Sequence, residues 1–236
     1  MPLQKISEIT DIVERQKVLD HLGHPDPEDI SPVKICYYGH SFVSHMVTYI
    51  NTLPDYMQHF GIFPQQGSVV FEGKGGATVK RLRDDENVRK ILKMGPEIIV
   101  LEAGTNDLAR ADLSPKDVSD NMLELVRDML DCHAREVVVD QVLLRGQEGM
   151  LRAVPEFEEK VHEYNRRIKD ALQYQPRAMF WHHRNLWNVD LEAHLEDGTH
   201  LNALGNKKLY RSVKGAMQSI MKKIRPAWAT QPFDFY

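Results

Sequence analysis

The sequence predicts an α/β protein built on a five-stranded parallel sheet, with helices covering both faces. Two observations support this fold class. Five short apolar runs alternate along the chain with five stretches of helical spacing, and strands that alternate with helices form parallel sheets. The 236 residues, 42% hydrophobic and 27% charged, suit one soluble domain with extensions that can bury a sizeable core.

The predicted elements follow one another in a regular order. The apolar runs taken as strands are VKICYY (33–38), SVVFEG (68–73), EIIVLEAG (97–104), REVVVDQV (135–142) and RAMFWHH (177–183). The helical stretches that follow them are one through Leu53 and those at 78–94, 114–132, 155–173 and 202–224. Ser114 and Pro115 are typical of a helix cap and a first helical residue. We expect right-handed crossovers throughout.

The ends of the chain differ from this alternation. Residues 8–21 have helical spacing, but the following GHPDPEDISP holds three prolines and a glycine in ten residues, which is typical of a linker. We therefore predict an N-terminal helical extension and linker at 1–32. The α/β domain is predicted at 33–223, followed by an irregular tail at 224–236.

Composition and charge argue against several functions. A net charge of -4 offers no basic field for a phosphate backbone, so no nucleic-acid partner is predicted. Two cysteines cannot form a disulfide framework. We do not expect the charged start MPLQKISEITDIVERQ to be a secretory signal, and no apolar run in the sequence is long enough to span a bilayer. We expect an intracellular protein of the cytoplasm, whose oligomeric state the sequence does not give.

Small and polar residues gather in the loops at the carboxyl ends of the predicted strands. GHS (39–41) follows the first strand, GKGGAT (73–78) the second and GTND (104–107) the third, and EDGTHLN (196–202) precedes the last helix. Ligands bind at this edge of an open parallel sheet. Four of the five loops therefore carry residues suited to acyl transfer, and we expect them to form one site.

The residue types in these loops match the requirements of a serine nucleophile. A serine hydroxyl needs a base, usually a histidine held by a carboxylate. Asp197 and His200 are three residues apart and can face the same way, so His200 can reach Ser41. The oxyanion needs donors that are already in place. The backbone amides of Ser41 and Gly76 and the side-chain amide of Asn106 could supply them.

These motifs resemble, in order, the sequence blocks of the SGNH (GDSL-like) hydrolases: Gly39-x-Ser41, Gly76 in GGAT, Gly104-x-Asn106-Asp107 and Asp197-x-x-His200. The resemblance runs from Val33 to about Lys223. It implies a three-layer, flavodoxin-like five-stranded parallel sheet and esterase, lipase or acetyl-group hydrolysis without a metal or cofactor, with an acetyl or short acyl ester as one candidate substrate. It also implies that Ser41 is the nucleophile, His200 the base and Asp197 its orienting partner, with Gly76 and Asn106 as oxyanion donors.

One departure from the family pattern is His40, which stands where the family usually has aspartate. That position is expected to brace the loops, and a histidine would do so with pH dependence near neutrality. Asp107 is expected to be a structural partner of the same first-block loop. Related variants of this block occur in SGNH-like domains of eukaryotic mobile elements, so a relation to those is an open alternative.

Other interpretations stay open at this point. Considered without the other motifs, Ser41 would be interpreted as a helix N-cap. A second alternative is a binding module that keeps the SGNH fold without its activity, and the presence of His40 favours this alternative. A third interpretation is a flavodoxin-like protein that binds a cofactor, but the sequence contains no phosphate-binding loop to support it. No metal site is predicted, since the adjacent His182 and His183 rarely reach one ion. The loop 143–155 is the candidate lid or rim.

Overall fold

The protein is described here by a computed structural model that covers residues 30–131, 134–187 and 191–226. The predicted α/β fold is confirmed. The strands are β1 (Val33–Gly39), β2 (Gly67–Gly73), β3 (Ile98–Glu102), β4 (Glu136–Asp140) and β5 (Ala178–Trp181). The α-helices are α1 (Ser41–Ile50), α2 (Val79–Leu82), α3 (Asp85–Met94), α4 (Thr105–Leu108), α5 (Pro115–Asp131), α6 (Gln147–Met150), α7 (Phe157–Leu172) and α8 (Ala203–Ile224). Short 3-10 turns lie at Asp55–Met57, Arg184–Leu186 and Glu192–His194.

The five strands form one parallel sheet in the order β2-β1-β3-β4-β5. The chain leaves β1 toward β2 on one side and then returns to β3 on the other side. The carboxyl ends of β1 and β3 are therefore the point where the winding direction changes. A crevice opens at such a point, and the loop that carries Ser41 begins there.

Both faces of the central strands β3 and β4 are buried, and the middle residues of these strands are apolar. In β3, Ile98 and Val100 face the core beneath α1 and α8, whereas Ile99 and Leu101 face the core beneath α2, α3, α5 and α7. This two-sided burial explains why the third strand shows a continuous apolar run instead of an alternating pattern.

The structure differs from the predicted elements in the second helical stretch. The single helix expected at 78–94 is two helices, because Asp84 has extended backbone angles (φ -50°, ψ 136°). Asp84 then precedes α3, whose first turn holds Asp85 and Glu86. Acidic residues favour a new helix start there.

The predicted domain limits stay predictions. The expected extension and linker at 1–32 lie outside the described residues, apart from 30–32, and so does the tail after 226. Val33 does begin the first strand, and α8 ends at Ile224. None of the helices in the described ranges combines the length and apolar character that a membrane crossing needs.

Candidate active site

Ser41 is the first residue of α1, directly after the end of β1. The N-cap of this helix is His40, whose Nδ1 accepts a hydrogen bond from the Phe42 amide at 3.3 Å. Gly39 has no room for a side chain, because a β-carbon there would overlap the backbone carbonyl oxygen of Glu102. The interpretation of Ser41 as a helix cap is therefore wrong: His40 caps the helix, and the Ser41 hydroxyl has a different partner.

That partner is His200, which lies in the turn before α8. The Nε2 atom of His200 is 3.1 Å from the Ser41 hydroxyl oxygen, and its Nδ1 atom is 2.9 Å from the Asp197 carboxylate. The other carboxylate oxygen of Asp197 accepts hydrogen bonds from the backbone amides of Thr199, at 2.9 Å, and His200, at 2.7 Å. The three side chains form one continuous chain of hydrogen bonds from carboxylate to hydroxyl.

The charge of Asp197 fixes the tautomer of His200. Burial raises the pKa of this carboxyl group, but hydrogen bonds from the His200 amide, the His200 ring and the Thr199 amide outweigh it, so its pKa lies well below the usual range. An ionised carboxylate can only accept hydrogen bonds. The Nδ1 atom of His200 therefore carries the proton, and Nε2 presents a lone pair to Ser41.

The loop 143–155 supports the turn that holds Asp197. The amide of Gly146 donates to the carbonyl of Gly198 at 2.8 Å, and the Arg152 guanidinium donates to the carbonyl of Asp197. Gly149 packs so tightly on Gly198 that a β-carbon at either residue would overlap the other's backbone. This segment, predicted as a lid or rim, packs against the Asp197 turn.

A groove lies between that loop and the 3-10 turn at Glu192–His194. Its cavity volume is about 470 Å³. Its lining combines apolar side chains with charged ones: Leu144, Arg145, Gly146, Gln147, Met150, Leu191 and Glu192. Because Gly146 also bonds to Gly198, the groove borders the turn that carries Asp197.

The ring of His45 lies face to face with the ring of His200, with centroids 4.4 Å apart and planes at 16°. Phe42 contacts the same imidazole edge-on at 6.2 Å. The sequence carries a signal for this contact, because His45 follows Ser41 by four residues and therefore lies on the same side of α1.

Gly76 and Asn106 lie in neighbouring loops that are hydrogen-bonded to each other. The side-chain amide of Asn106 donates to the carbonyl of Ala77 at 3.0 Å. Gly76 has a positive φ of 66°, which favours glycine. The amide of Lys74 donates to the carbonyl of Gly39 at 2.9 Å, so the loop after β2 is also fixed to the end of β1.

Asp107 fixes the loop after β2, and the expectation that it braces the first-block loop is wrong. Both of its carboxylate oxygens lie 3.1 Å from the Val79 amide, at the start of α2. Burial raises the pKa of this carboxyl group to about 6, against the effect of that hydrogen bond.

Beneath Ser41 lies a buried polar cluster that sequence reasoning missed, formed by His40, Glu102, Asp140 and His183. All four side chains are at most 1% exposed. Burial raises the pKa of Glu102 to about 8. Burial also raises the pKa of Asp140 to about 8; the nearby His183 lowers this pKa, and the nearby Glu102 raises it further. The signal in the sequence was an acidic residue at the last position of two neighbouring strands, Glu102 in β3 and Asp140 in β4, each directly after a run of apolar residues.

The expectation of a His40 that titrates near neutrality is wrong. Burial first, and then His200 and Arg145, lower the pKa of His40 to about 3. Burial away from water destabilises the charged form of a side chain. His40 is therefore neutral at physiological pH, and its bracing contacts do not change there.

Comparison with known proteins gives a family match and several structures with a similar fold. The family model of the GDSL-like lipase/acylhydrolase family matches residues 38–208. No curated protein sequence matches the chain. Solved structures with a similar fold include a protein described as an acylhydrolase from Bacteroides fragilis, at 18% identity and a TM-score of 0.64, covering 91% of this chain and 99% of that one.

Two further structures have the same fold. A GDSL-like lipase from Bacteroides thetaiotaomicron shares 15% identity at a TM-score of 0.65, with 87% of this chain and 97% of that one covered. A catalytic mutant of an acetylxylan esterase from Geobacillus stearothermophilus shares 15% identity at a TM-score of 0.57, with 84% and 96% covered. The family match spans most of the chain, and the chain therefore belongs to the GDSL-like lipase/acylhydrolase family of hydrolases.

Proposed function

We propose that this hydrolase cleaves carboxylic esters of an acetyl or another short acyl group, through an acyl-enzyme on Ser41. The observation that carries the proposal is the hydrogen-bond chain from Asp197 through His200 to Ser41, with distances of 2.9 Å and 3.1 Å. The name of one fold neighbour, an acetylxylan esterase, supports an acetyl ester as the first substrate to test.

The first step is the attack of Ser41 on the ester carbonyl. The hydroxyl oxygen forms a bond to the carbonyl carbon while its proton passes to Nε2 of His200. The imidazole then carries a positive charge, which the ionised Asp197 stabilises through the Nδ1 proton. Asp197 itself stays charged, in keeping with its lowered pKa.

The carbonyl oxygen becomes negative in this step and needs donors. We assign this role to the backbone amides of Ser41 and Gly76 and the side-chain amide of Asn106. Ser41 belongs to the first turn of α1, whose amides lack acceptors within the helix and lie at its positive end. Asn106 uses one amide hydrogen on Ala77 and has a second one to donate.

The intermediate then breaks its bond to the alcohol oxygen, which takes the proton from His200 Nε2 and leaves. Water enters, gives a proton to the same nitrogen and attacks the acyl carbon. The Ser41 oxygen leaves, recovers that proton and releases the carboxylic acid. His200 therefore acts as base and acid in turn, and no cofactor takes part in these steps.

The test uses a fluorophosphonate probe and a panel of p-nitrophenyl esters of increasing acyl length. We expect the unmodified protein to take the label and to turn over the acetyl and short-chain esters fastest. Ser41→Ala should lose both, whereas Ser44→Ala should keep both. Ser44 is a suitable control because it lies on the same helix, against Gly73.

An unmodified protein that takes no label and hydrolyses no ester would contradict the proposal. A folded protein with that result would instead be a binding module with the family fold. Labelling that persists in Ser41→Ala would place the nucleophile elsewhere.

A further inference from the structure

We propose that Glu102, Asp140 and His183 form a structural site for a divalent transition-metal ion, with Zn²⁺ as the best match, beneath the Ser41 loop. One ligand atom from each residue lies within 4.8 Å of the others. The residues end or follow three neighbouring strands, β3, β4 and β5. The site faces the interior and is separate from the ester-cleaving residues.

The side chains of this site are buried without hydrogen-bond partners for the atoms concerned. Glu102 is 1% exposed, and Asp140 and His183 are fully buried. Among the residues that the structure describes, nothing bonds to Glu102 Oε2, to either carboxylate oxygen of Asp140 or to His183 Nε2. Buried polar groups are normally paired, because an unpaired polar atom in the interior lowers the stability of the fold. A shared cation would satisfy all of these atoms together.

The separations between these atoms fit ligands around one ion. His183 Nε2 is 3.9 Å from Glu102 Oε2 and 3.9 Å from Asp140 Oδ1. Both distances are too long for a direct hydrogen bond. Zn²⁺ binds oxygen and nitrogen at about 2.0–2.2 Å, which places tetrahedral ligands about 3.4 Å apart. Small side-chain rotations would close the remaining difference.

The ring of His183 is held in the orientation that a ligand needs. Its Nδ1 is 2.8 Å from the hydroxyl oxygen of Ser212, and that oxygen accepts the indole N–H of Trp181 at 3.0 Å. Metal-binding histidines usually donate their second ring N–H to such an outer partner. With the proton on Nδ1, the lone pair of Nε2 faces the two carboxylates.

His40 faces one ligand from outside the site, at a distance too long for a hydrogen bond, and cannot itself bind the ion. Its Nδ1 accepts the Phe42 amide, so the proton of the neutral ring is on Nε2. That N–H lies 3.6 Å from Oε1 of Glu102. The second oxygen of the ligating carboxylate thus faces a donor, as is common around metal sites.

The donor set selects the kind of ion. Two carboxylates would balance a divalent cation, so the buried site would be close to neutral. A nitrogen ligand beside two oxygens favours Zn²⁺ or a similar transition metal over Ca²⁺ and Mg²⁺, which prefer oxygen alone. The ion would join three strand ends and, through Glu102 and His40, stabilise the cap of the helix that begins with Ser41.

The first test measures metal in the 236-residue chain, expressed in medium supplemented with Zn²⁺ and purified without chelators. Elemental analysis should find about one equivalent per chain. Asp140→Asn and His183→Gln should each lower this at least tenfold. The control is Glu136→Gln, a buried acid on the same strand that pairs with Lys223 at 2.7 Å outside the cluster, and it should keep the metal.

The second test measures thermal stability, since all three ligands are buried and exchange requires opening. Protein unfolded and refolded with Zn²⁺ should melt higher than protein refolded with a chelator, and Asp140→Asn should abolish that difference. Wild-type protein with less than a tenth of an equivalent and no shift in Tm would overturn the site, as would Asp140→Asn with unchanged metal. Neither readout depends on ester hydrolysis.

Discussion

The imidazole of His45 is stacked on the imidazole of His200, at 4.4 Å between ring centroids. Burial, and then the nearby His200, lower the pKa of His45, so His45 stacks as a neutral ring at physiological pH. It covers one face of the proposed base and limits rotation of that ring away from Ser41.

Removing the stack should therefore slow ester hydrolysis without preventing it. Pairs of aromatic rings contribute about 0.5–1.5 kcal/mol, so we expect His45→Ala to lower kcat by roughly threefold to tenfold with KM little changed. His45→Phe keeps a ring in place and should restore most of the rate. Equal losses in both variants, or a loss confined to KM, would show that the ring does not position His200.

Asp197→Asn tests the orienting carboxylate. An amide can donate to Nδ1 of His200, which would place the imidazole proton on Nε2 and leave no lone pair for Ser41. The comparable change in serine proteases costs about 10⁴ in kcat, and we expect a similar loss here. Hydrolysis of the best ester in the panel gives the measurement. A loss below about tenfold would mean that Asp197 does not control the tautomer.

The lowered pKa of Asp197 predicts that the difference in Tm between wild type and Asp197→Asn depends on pH. The folded-state pKa of Asp197 is lowered, so its carboxylate adds stability above the unfolded pKa of about 3.9 and loses it as the pH falls through the folded pKa. The Tm advantage of wild type over Asp197→Asn should therefore be larger at about pH 5 than at about pH 2.5. Thermal melts at both pH values measure it; an advantage that grows on acidification would contradict the sign.

The sequence was informative where local patterns decide the structure. Continuous apolar runs such as EIIVLEAG indicate strands that are buried on both faces. The three-residue spacing of Asp197 and His200 predicted that their side chains face the same way, so that His200 can reach Ser41. The break at Asp84 was missed, because the apolar pattern of 78–94 continues across it. The buried cluster was missed for a different reason. It depends on strand order, which brings Glu102, Asp140 and His183 together from distant segments.

Asn106→Ala tests the proposed oxyanion donor. Loss of one such donor lowers kcat by about 10²–10³, and we expect this loss with a smaller change in KM. The variant also loses the hydrogen bond to the Ala77 carbonyl, which could move the loop. Its Tm is therefore measured as well. A large fall in kcat with a Tm near that of wild type supports a donor role, whereas unchanged kcat in a folded variant contradicts it.

Gly76 and Gly75 provide a matched pair for the loop after β2. A β-carbon at either position would meet no atom within 4 Å, but only Gly76 has a positive φ, at 66°. Alanine in that left-handed region costs about 1–2 kcal/mol. Gly76→Ala should lower the free energy of unfolding by about that amount, or shift the backbone amide that we assign to the oxyanion.

The control, Gly75→Ala, should stay within about 0.5 kcal/mol of wild type. Denaturant unfolding measures both variants, and ester hydrolysis reports the position of the amide. If the loop relaxes to avoid the strain, Gly76→Ala should lose kcat instead of stability, because the Gly76 N–H then moves from the developing charge. A Gly76→Ala protein that matches Gly75→Ala in both stability and kcat would show that the left-handed backbone at this residue matters for neither.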